Sequence, residues 1–503
     1  MPIEVSEDLI RGIATKDKAL SDGRTLSKKG AFKNVHRIDD GSLLWGQCQG
    51  SGAKPYELSI DLGGDNPTIR CSCPVKPPPC KHTLGLLVHF LEASAKFTVA
   101  EPPSELIEKR SKNQERAEKR AETAQKPKEV DKAALEKKTR VQREGLGLLE
   151  QLVLDAVKGG LGTFDAKKAD KLIEQARQMN DAYLPGAAER LRRIAALASS
   201  VSGGKQSDDD DDVYYQLKEP GWDLPDELRH RLVTRHVTRL WAMVRRGQKY
   251  LEEKLDEGES QDEADAVVEE LLGRVWKLEE LRAKGHAKKD LELLELAYER
   301  FDDRVKEERV EQSWLVHLGD GTVYVERTFR PSAALDRTKE GESYEKPLQI
   351  AEAVVYPGFV NRRVRWDLAA RKSRKLELSD LQKIHDGALA SFDLGVAKLK
   401  EQLKNPLAPD DAVLLLRISG LDRSKDSLVA TDSKGAKLVL KDSPLARYRA
   451  LGNLEMAAGA AKARIGKEPT SLLARLYVGL ADDAIYAQPL SLIVGTSHVR
   501  LGM

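Results

Sequence analysis

Three of the chain's four cysteines and one of its nine histidines fall within twelve consecutive positions, Cys71-Ser72-Cys73-Pro74-Val75-Lys76-Pro77-Pro78-Pro79-Cys80-Lys81-His82. Thiolates and an imidazole suit a tetrahedral Zn²⁺ site, and four protein ligands leave no open coordination position. The stretch therefore predicts one structural zinc ion per chain, held by Cys71, Cys73, Cys80 and His82. Such a site organises the backbone around it and does not activate water. A disulfide between Cys71 and Cys73 is sterically poor, and scarce, clustered cysteine fits a reducing cytosol better than a disulfide framework.

The flanking sequence sets this cluster in a definite local structure. Ser42–Cys48 and Tyr56–Leu62 read as strands, the second alternating with a period of two. Thr68–Cys73 is a third strand, in which Cys71 and Cys73, two apart, face one side. The four prolines between Pro74 and Pro79 make a stiff connector with little entropy to lose. Lys81 then opens a helix with an apolar stripe of Leu84, Leu87, Val88 and Leu91. Cys80 and His82 sit at its entrance, where the positive end of the helix dipole favours a thiolate. Cys48 reads as a small buried strand residue, and His89, seven positions beyond His82, as surplus to a four-coordinate site.

The pattern CxC, six residues, CxH, then an apolar helix resembles the SWIM zinc finger. Tyr56-Glu57-Leu58-Ser59-Ile60-Asp61-Leu62 before it and Thr83-Leu84-Gly85-Leu86-Leu87 after it look like that family too. The resemblance covers about residues 45–95, and residues 1–100 together resemble the N-terminal part of bacterial SWIM-containing proteins. It implies the same four ligands. It also implies an interaction module, because members of the family bind DNA or proteins. Some sit on chromatin-remodelling ATPases and transposases, and bacterial stand-alone members resemble adaptors associated with AAA+ ATPases.

The rest of the chain divides by composition. Residues 1–100 form the finger domain, opened by a helix-like Ser6–Ala14 and punctuated by turns at Gly12, Asp22-Gly23 and Gly30. Residues 101–145 are a charged helical linker or tether broken at Pro127, and 146–200 a small helical domain. Residues 201–222 are a flexible acidic linker containing Asp208–Asp212, and 223–310 a helical hairpin or bundle with helices near Glu263–Leu281 and Lys288–Glu308. Residues 311–503 switch to strand-like patterning, with a hairpin around Gly319-Asp320-Gly321, a helix over Ser379–Gln402, and strands at Ala412–Ile418, Lys437–Leu440 and Leu490–Val494. The expected fold class is α+β multidomain: a small N-terminal ββα zinc finger module, a central helical region and a C-terminal α+β domain.

At 503 residues the chain exceeds a single core, and 33% charged against 5% aromatic residues describe a soluble, helix-rich protein. A formal net charge of +2 supplies no global pull toward nucleic acid. No apolar run spans a bilayer and the N-terminus lacks a signal core, so a cytoplasmic protein without membrane contact is expected. Catalytic motifs are missing: there is no HExxH, no deaminase HxE with a paired CxxC, no GxSxG in a fitting context, and Gly203-Gly204-Lys205 is not a phosphate loop. The sequence thus favours a non-enzymatic, zinc-containing adaptor with a protein partner and no small-molecule substrate. The alternative is DNA or RNA binding through Arg362, Arg363, Arg365, Trp366, Arg371 and Lys372, basic residues flanking an aromatic ring. A second basic stretch, Arg229, Arg231, Arg235, Arg239, Arg245, Arg246 and Lys249, is expected to face solvent or to pair with the acidic stretch Glu252–Glu270.

Overall fold

A computed structural model describes the chain except for residues 1–3, 15–16, 50–53, 64–66, 76–77, 113–114, 116–131, 161–165, 200–223, 258–262, 336–340, 342, 425–426 and 503. The expected break at Pro127 and the aspartate run at 208–212 lie outside the described residues.

Residues 4–100 begin with α1 (Glu7–Ile13), whose N-cap Ser6 accepts a hydrogen bond from the Leu9 amide. Then follow α2 (Asp17–Lys28), β1 (Phe32–Arg37), β2 (Leu43–Cys48), β3 (Tyr56–Asp61), β4 (Thr68–Cys71), α3 (Lys81–Ala93) and β5 (Thr98–Val99). The strands form one sheet in the order β4-β3-β2-β1-β5, antiparallel apart from the β1–β5 pair. The turn expected at Asp22-Gly23 is instead the middle of α2. Gly23 serves close packing there: a Cβ on it would lie 2.8 Å from the Lys81 carbonyl, and one on Gly85 would lie 2.8 Å from the Gly23 carbonyl. With no side chains between them, α2 and α3 touch backbone to backbone.

That contact changes the role of α3. His82 through His89 are all buried, because α2 covers one side of the helix and the sheet the other. Leu84, Leu86 and Leu87 are fully enclosed, each worth about 1.5–3 kcal/mol of apolar burial. Of the expected stripe only Leu91 is exposed. The helix is a core element and offers little surface for recognition.

Four long helices follow: α4 (Lys132–Lys158), α5 (Ala166–Asp181), α6 (Pro185–Ser199) and α7 (Asp226–Glu257), with the shorter α8 (Glu263–Leu271) and α9 (Leu278–Ala283) behind them. Their apolar faces share one core, from Leu146 and Leu149 through Leu191 and Met243 to Leu272. Helices on the two sides of residues 200–223 therefore pack together.

The expected helix over Lys288–Glu308 is a strand, β6 (Ala287–Asp303). Its Leu, Glu, Lys and Ala content has high helix propensity, but tertiary pairing overrides propensity. β6 lies at the centre of a sheet ordered β10-β9-β6-β7-β8, with β7 (Glu308–His317), β8 (Val323–Pro331), β9 (Leu348–Val355) and β10 (Val364–Arg365), and with β11 (Arg371–Ser373) also on β9. The β7–β8 hairpin turns at Gly319–Gly321 as expected. The helix expected over Ser379–Gln402 is two helices, α10 (Leu378–Gly387) and α11 (Phe392–Leu403).

A third sheet, β12-β16-β17-β15-β14-β13, comprises β12 (Asp411–Arg417), β13 (Gly420–Ser424), β14 (Ser427–Thr431), β15 (Lys437–Leu440), β16 (Thr470–Val478) and β17 (Ile485–Val494), with β18 (Ser497–Arg500) on β17. The two large sheets face each other across Trp314, Val316, Val325, Val413, Leu415, Leu473 and Ile493. The far side of the third sheet is covered by α11 and by α12 (Leu451–Ala461). Among the described residues no helix is long and apolar enough to cross a membrane.

Candidate metal centre

The ligand cluster is assembled by three local devices. β4 ends at Cys71, two residues short of the expected strand end at Cys73, and Cys73 follows in a bend. Ser72 ties this exit to β3: its amide donates to the Glu57 carbonyl at 3.0 Å, and its hydroxyl accepts from the Glu57 amide at 2.9 Å. Cys80 is the N-cap of α3. Thr83, three residues on, accepts from the Cys80 amide and donates to the Cys80 carbonyl, both at 3.0 Å. The sequence signal for this capping residue is the threonine three positions after the cap.

The result brings together the side chains Cys71, Cys73, Cys80 and His82, all buried, with their ligand atoms within 4.8 Å of one another. Nδ1 of His82 lies 3.6 Å from Sγ of Cys80 and 3.9 Å from Sγ of Cys71. Zinc–sulfur and zinc–nitrogen bonds of ordinary length at a tetrahedral angle put such edges at about 3.6 Å. The residues present therefore fit one zinc ion in chemistry, number and spacing. Tyr56 covers His82, ring centroids 4.8 Å apart, and screens the imidazole from water.

The electrostatics treat two of the thiols differently. A hydrogen bond from Cys71, aided by His82 and Thr83, holds the Cys80 thiol down to about 3 despite its burial. The same bond, with burial, raises the Cys71 thiol. The Cys73 amide points at Sγ of Cys71 from 3.4 Å, a donor suited to a thiolate.

Cys48 lies in the apolar core of the sheet, where burial pushes its thiol up to about 11. His89 is directed away from the ligands: it stacks on Phe32 at 5.5 Å, and its Nδ1 meets the Ser27 hydroxyl at 3.3 Å.

The two basic stretches have other occupations. Arg363 lies 3.7 Å above the Tyr356 ring and Arg371 lies 5.1 Å from the Tyr344 ring. The Arg362 carbonyl accepts from the Val325 amide, and Lys372 pairs with Glu4 at 3.1 Å. Trp366 is only 9% exposed and faces Tyr344, so it presents no ring face for a base, whereas Arg365 remains exposed. The arginines of α7 neither face solvent as a set nor pair mainly with Glu252–Glu270. Arg231, Arg235 and Arg239, four residues apart on one face, donate to the carbonyls of Leu480, Gly479 and Ala408 at 3.1, 3.4 and 2.7 Å. They fasten the bundle to the C-terminal sheets. Their i, i+4, i+8 spacing was legible in the sequence, but the receiving carbonyls were not.

Besides Ser27 with His89, two further serine–histidine pairs occur among the described residues, Ser471 with His385 at 2.8 Å and Ser491 with His498 at 2.7 Å. Both serines are fully buried, which denies their hydroxyls to a substrate.

This geometry defines a protein with a closed Cys₃His metal module set on a helical and β-rich body. Comparison with known families makes the class specific: residues 56–90 match the SWIM zinc finger, and residues 136–213 match the SWIM-associated four-helix bundle domain. The second match begins within α4, covers α5 and α6, and ends before α7. Neither match is to an enzyme family. Searches of curated proteins and of solved structures returned no significant match.

Proposed function

We propose that this chain is a non-enzymatic adaptor in which zinc fixes the finger and the finger, bundle and C-terminal sheets together present a surface to a protein partner. The observation that supports this reading most is the closed shell. Four buried protein ligands leave the metal no position for substrate or water. The pairing of a SWIM finger with its associated bundle favours an interaction module, and the family resemblance makes a AAA+ ATPase a partner to test. With most of α3 buried, the proline-rich stretch is one exposed part of the finger, and Val75 there is 56% exposed. Nucleic acid binding is the weaker reading, since most of the basic residues that would carry it engage aromatic rings or carboxylates within the chain.

A pull-down from the native host decides the matter. Wild type and Val75→Asp are compared, with Cys80→Ser as the metal-free control. Capture of a defined partner by wild type, weakened by Val75→Asp at full zinc content, is the expected result. No selective partner, together with salt-dependent retention of single-stranded DNA or RNA, would replace the adaptor reading with the nucleic acid one.

A further inference from the structure

The zinc ligands and the helix α1 belong to one core. Leu9 and Ile10 of α1 are buried in the same apolar cluster as Cys71, Cys73 and Cys80 and the α3 residues Leu84, Leu86, Leu87 and Val88. α1 has only seven residues, and an isolated helix of that length is not stable in water. It stands because it packs on α3 and because Glu7 forms an ion pair with Arg24 of α2. α3 in turn starts at the metal centre: Cys80 caps it and His82 lies in its first turn.

The other side of α1 is seated on the C-terminal body. Leu368, in the 3₁₀ turn Leu368–Ala370 that leads into β11, packs against the finger core. A Cβ on Gly12 would lie 3.0 Å from a methyl group of Leu368 and 3.6 Å from a guanidinium nitrogen of Arg371, so α1 and this turn are in close contact. The Ser373 hydroxyl donates to the Asp8 carboxylate, and Glu4 pairs with Lys372 at 3.1 Å. Acidic residues of the N-terminal segment thus lie over the basic strand β11. That strand has three residues and pairs with β9 at the side of the sheet, so it draws little support from the sheet itself.

These contacts run in one line from the metal to the second sheet. Zinc orders the start of α3, α3 supports α1, and α1 covers residues 368–373. Binding energy at a structural zinc site is also local folding energy, so removal of the ion takes away the support of α1. We propose that α1 is a zinc-dependent clasp, which masks the basic edge at residues 368–373 while the finger holds its ion and releases that edge when the ion is lost. The clasp rests on the zinc centre and not on the adaptor reading, so a failed pull-down leaves it standing.

The test is hydrogen exchange on the full-length chain, compared for zinc-loaded wild type, wild type treated with a chelator, Cys80→Ser and zinc-loaded Leu368→Asp. On zinc removal, exchange in α1 and in residues 368–373 should accelerate by roughly tenfold or more, the effect of losing about one leucine's burial. β6 and β7 should keep their protection, and trypsin should gain access to the bonds after Arg371 and Lys372. Returning zinc to the chelated protein should reverse both changes. Leu368→Asp leaves all four ligands in place and should accelerate the same two segments at full zinc content. The proposal is overturned if residues 368–373 keep wild-type protection after zinc is lost, because α1 then stays seated without the metal. It is equally overturned if exchange in β6 and β7 rises in step, since the edge would then follow general unfolding, or if zinc-loaded Leu368→Asp leaves both segments protected. Should Cys80→Ser fail to fold, chelation of folded wild type carries the same decision.

Discussion

The finger and the strand β6 solve the same problem, the burial of polar groups, in opposite ways. In the finger, four metal ligands lie within twelve positions of one another, and the ion that they fit sets their geometry. In β6, Glu295 and Glu299 are buried at the centre of a sheet, and their partners come from the far end of the chain. Arg475 reaches Glu299 at 2.7 Å and Arg500 reaches Glu295 at 2.8 Å. Trp314 also donates to Glu299 at 2.7 Å, and the hydroxyl and amide of Ser343 and Tyr344 donate to Glu295. The finger can form once a short segment and one ion meet. The carboxylates of β6 are tolerable only after two sheets have docked. Local order and long-range order thus have different dependencies, and perturbations should separate them.

The largest effect is expected at the finger. Elemental analysis should give about one zinc per chain for wild type and none for Cys80→Ser. The loss forfeits an apparent binding energy of about 10–16 kcal/mol that is also local folding energy. Hydrogen exchange should accelerate across residues 56–90 while the protection of β6, β7, β16 and β17 persists. If the C-terminal sheets lost protection as well, the separation of the two regions would be wrong.

Next in size is Glu299→Gln. It leaves Arg475 buried beside one fewer charge and should cost about 3–5 kcal/mol in denaturant unfolding, with the zinc content unchanged. The double change Glu299→Met, Arg475→Met should recover most of that loss, because it removes the desolvation penalty together with the pair. The two buried glutamates also differ in sign. Burial opposes ionisation of Glu299, but Arg475, Trp314 and Gln312 outweigh it and lower its pKa. The stability that it contributes is present above the unfolded carboxylate range and is lost as the pH falls through the lower folded value. Glu295 is raised, by burial first and against the pull of Arg500. It therefore opposes folding increasingly as pH rises from the unfolded value to its raised folded value. Glu295→Gln should accordingly cost less than Glu299→Gln at pH 7, and the difference should narrow in acid.

A smaller effect tests the packing of α2 on α3. Gly85→Ala drives a methyl against the Gly23 carbonyl and the Phe32 ring and should lower stability by about 1–3 kcal/mol, seen as faster zinc release to a chelator. The smallest belongs to Lys372, whose pair with Glu4 is exposed on both sides. Lys372→Ala should change stability by about 0–1 kcal/mol.

Legibility followed the same division. The zinc ligands, the strands before them and the entrance of α3 could be read because each depends on neighbours a few residues away. β6 was misread as a helix because Leu-Glu-Leu-Leu-Glu-Leu-Ala at 291–297 carries helix formers and charges that suit a solvated helical face. Only arginines 176 and 205 residues distant make those glutamates interior. Asp22-Gly23 was misread as a turn for a related reason: glycine permits both a bend and a close approach of helices, and the choice lies with α3, not with the residue.

The sequence by itself determined a Cys₃His cluster, its fit to one zinc ion and the α+β character of the chain, because ligand chemistry and short-range periodicity are written in order along the polypeptide. The tertiary structure alone decided that α3 is core rather than surface, that the arginines of α7 grip carbonyls of the C-terminal sheets, and that two glutamates of β6 lie inside. Each of those outcomes depends on which distant group removes water from a side chain, and desolvation depends on the packed fold as a whole.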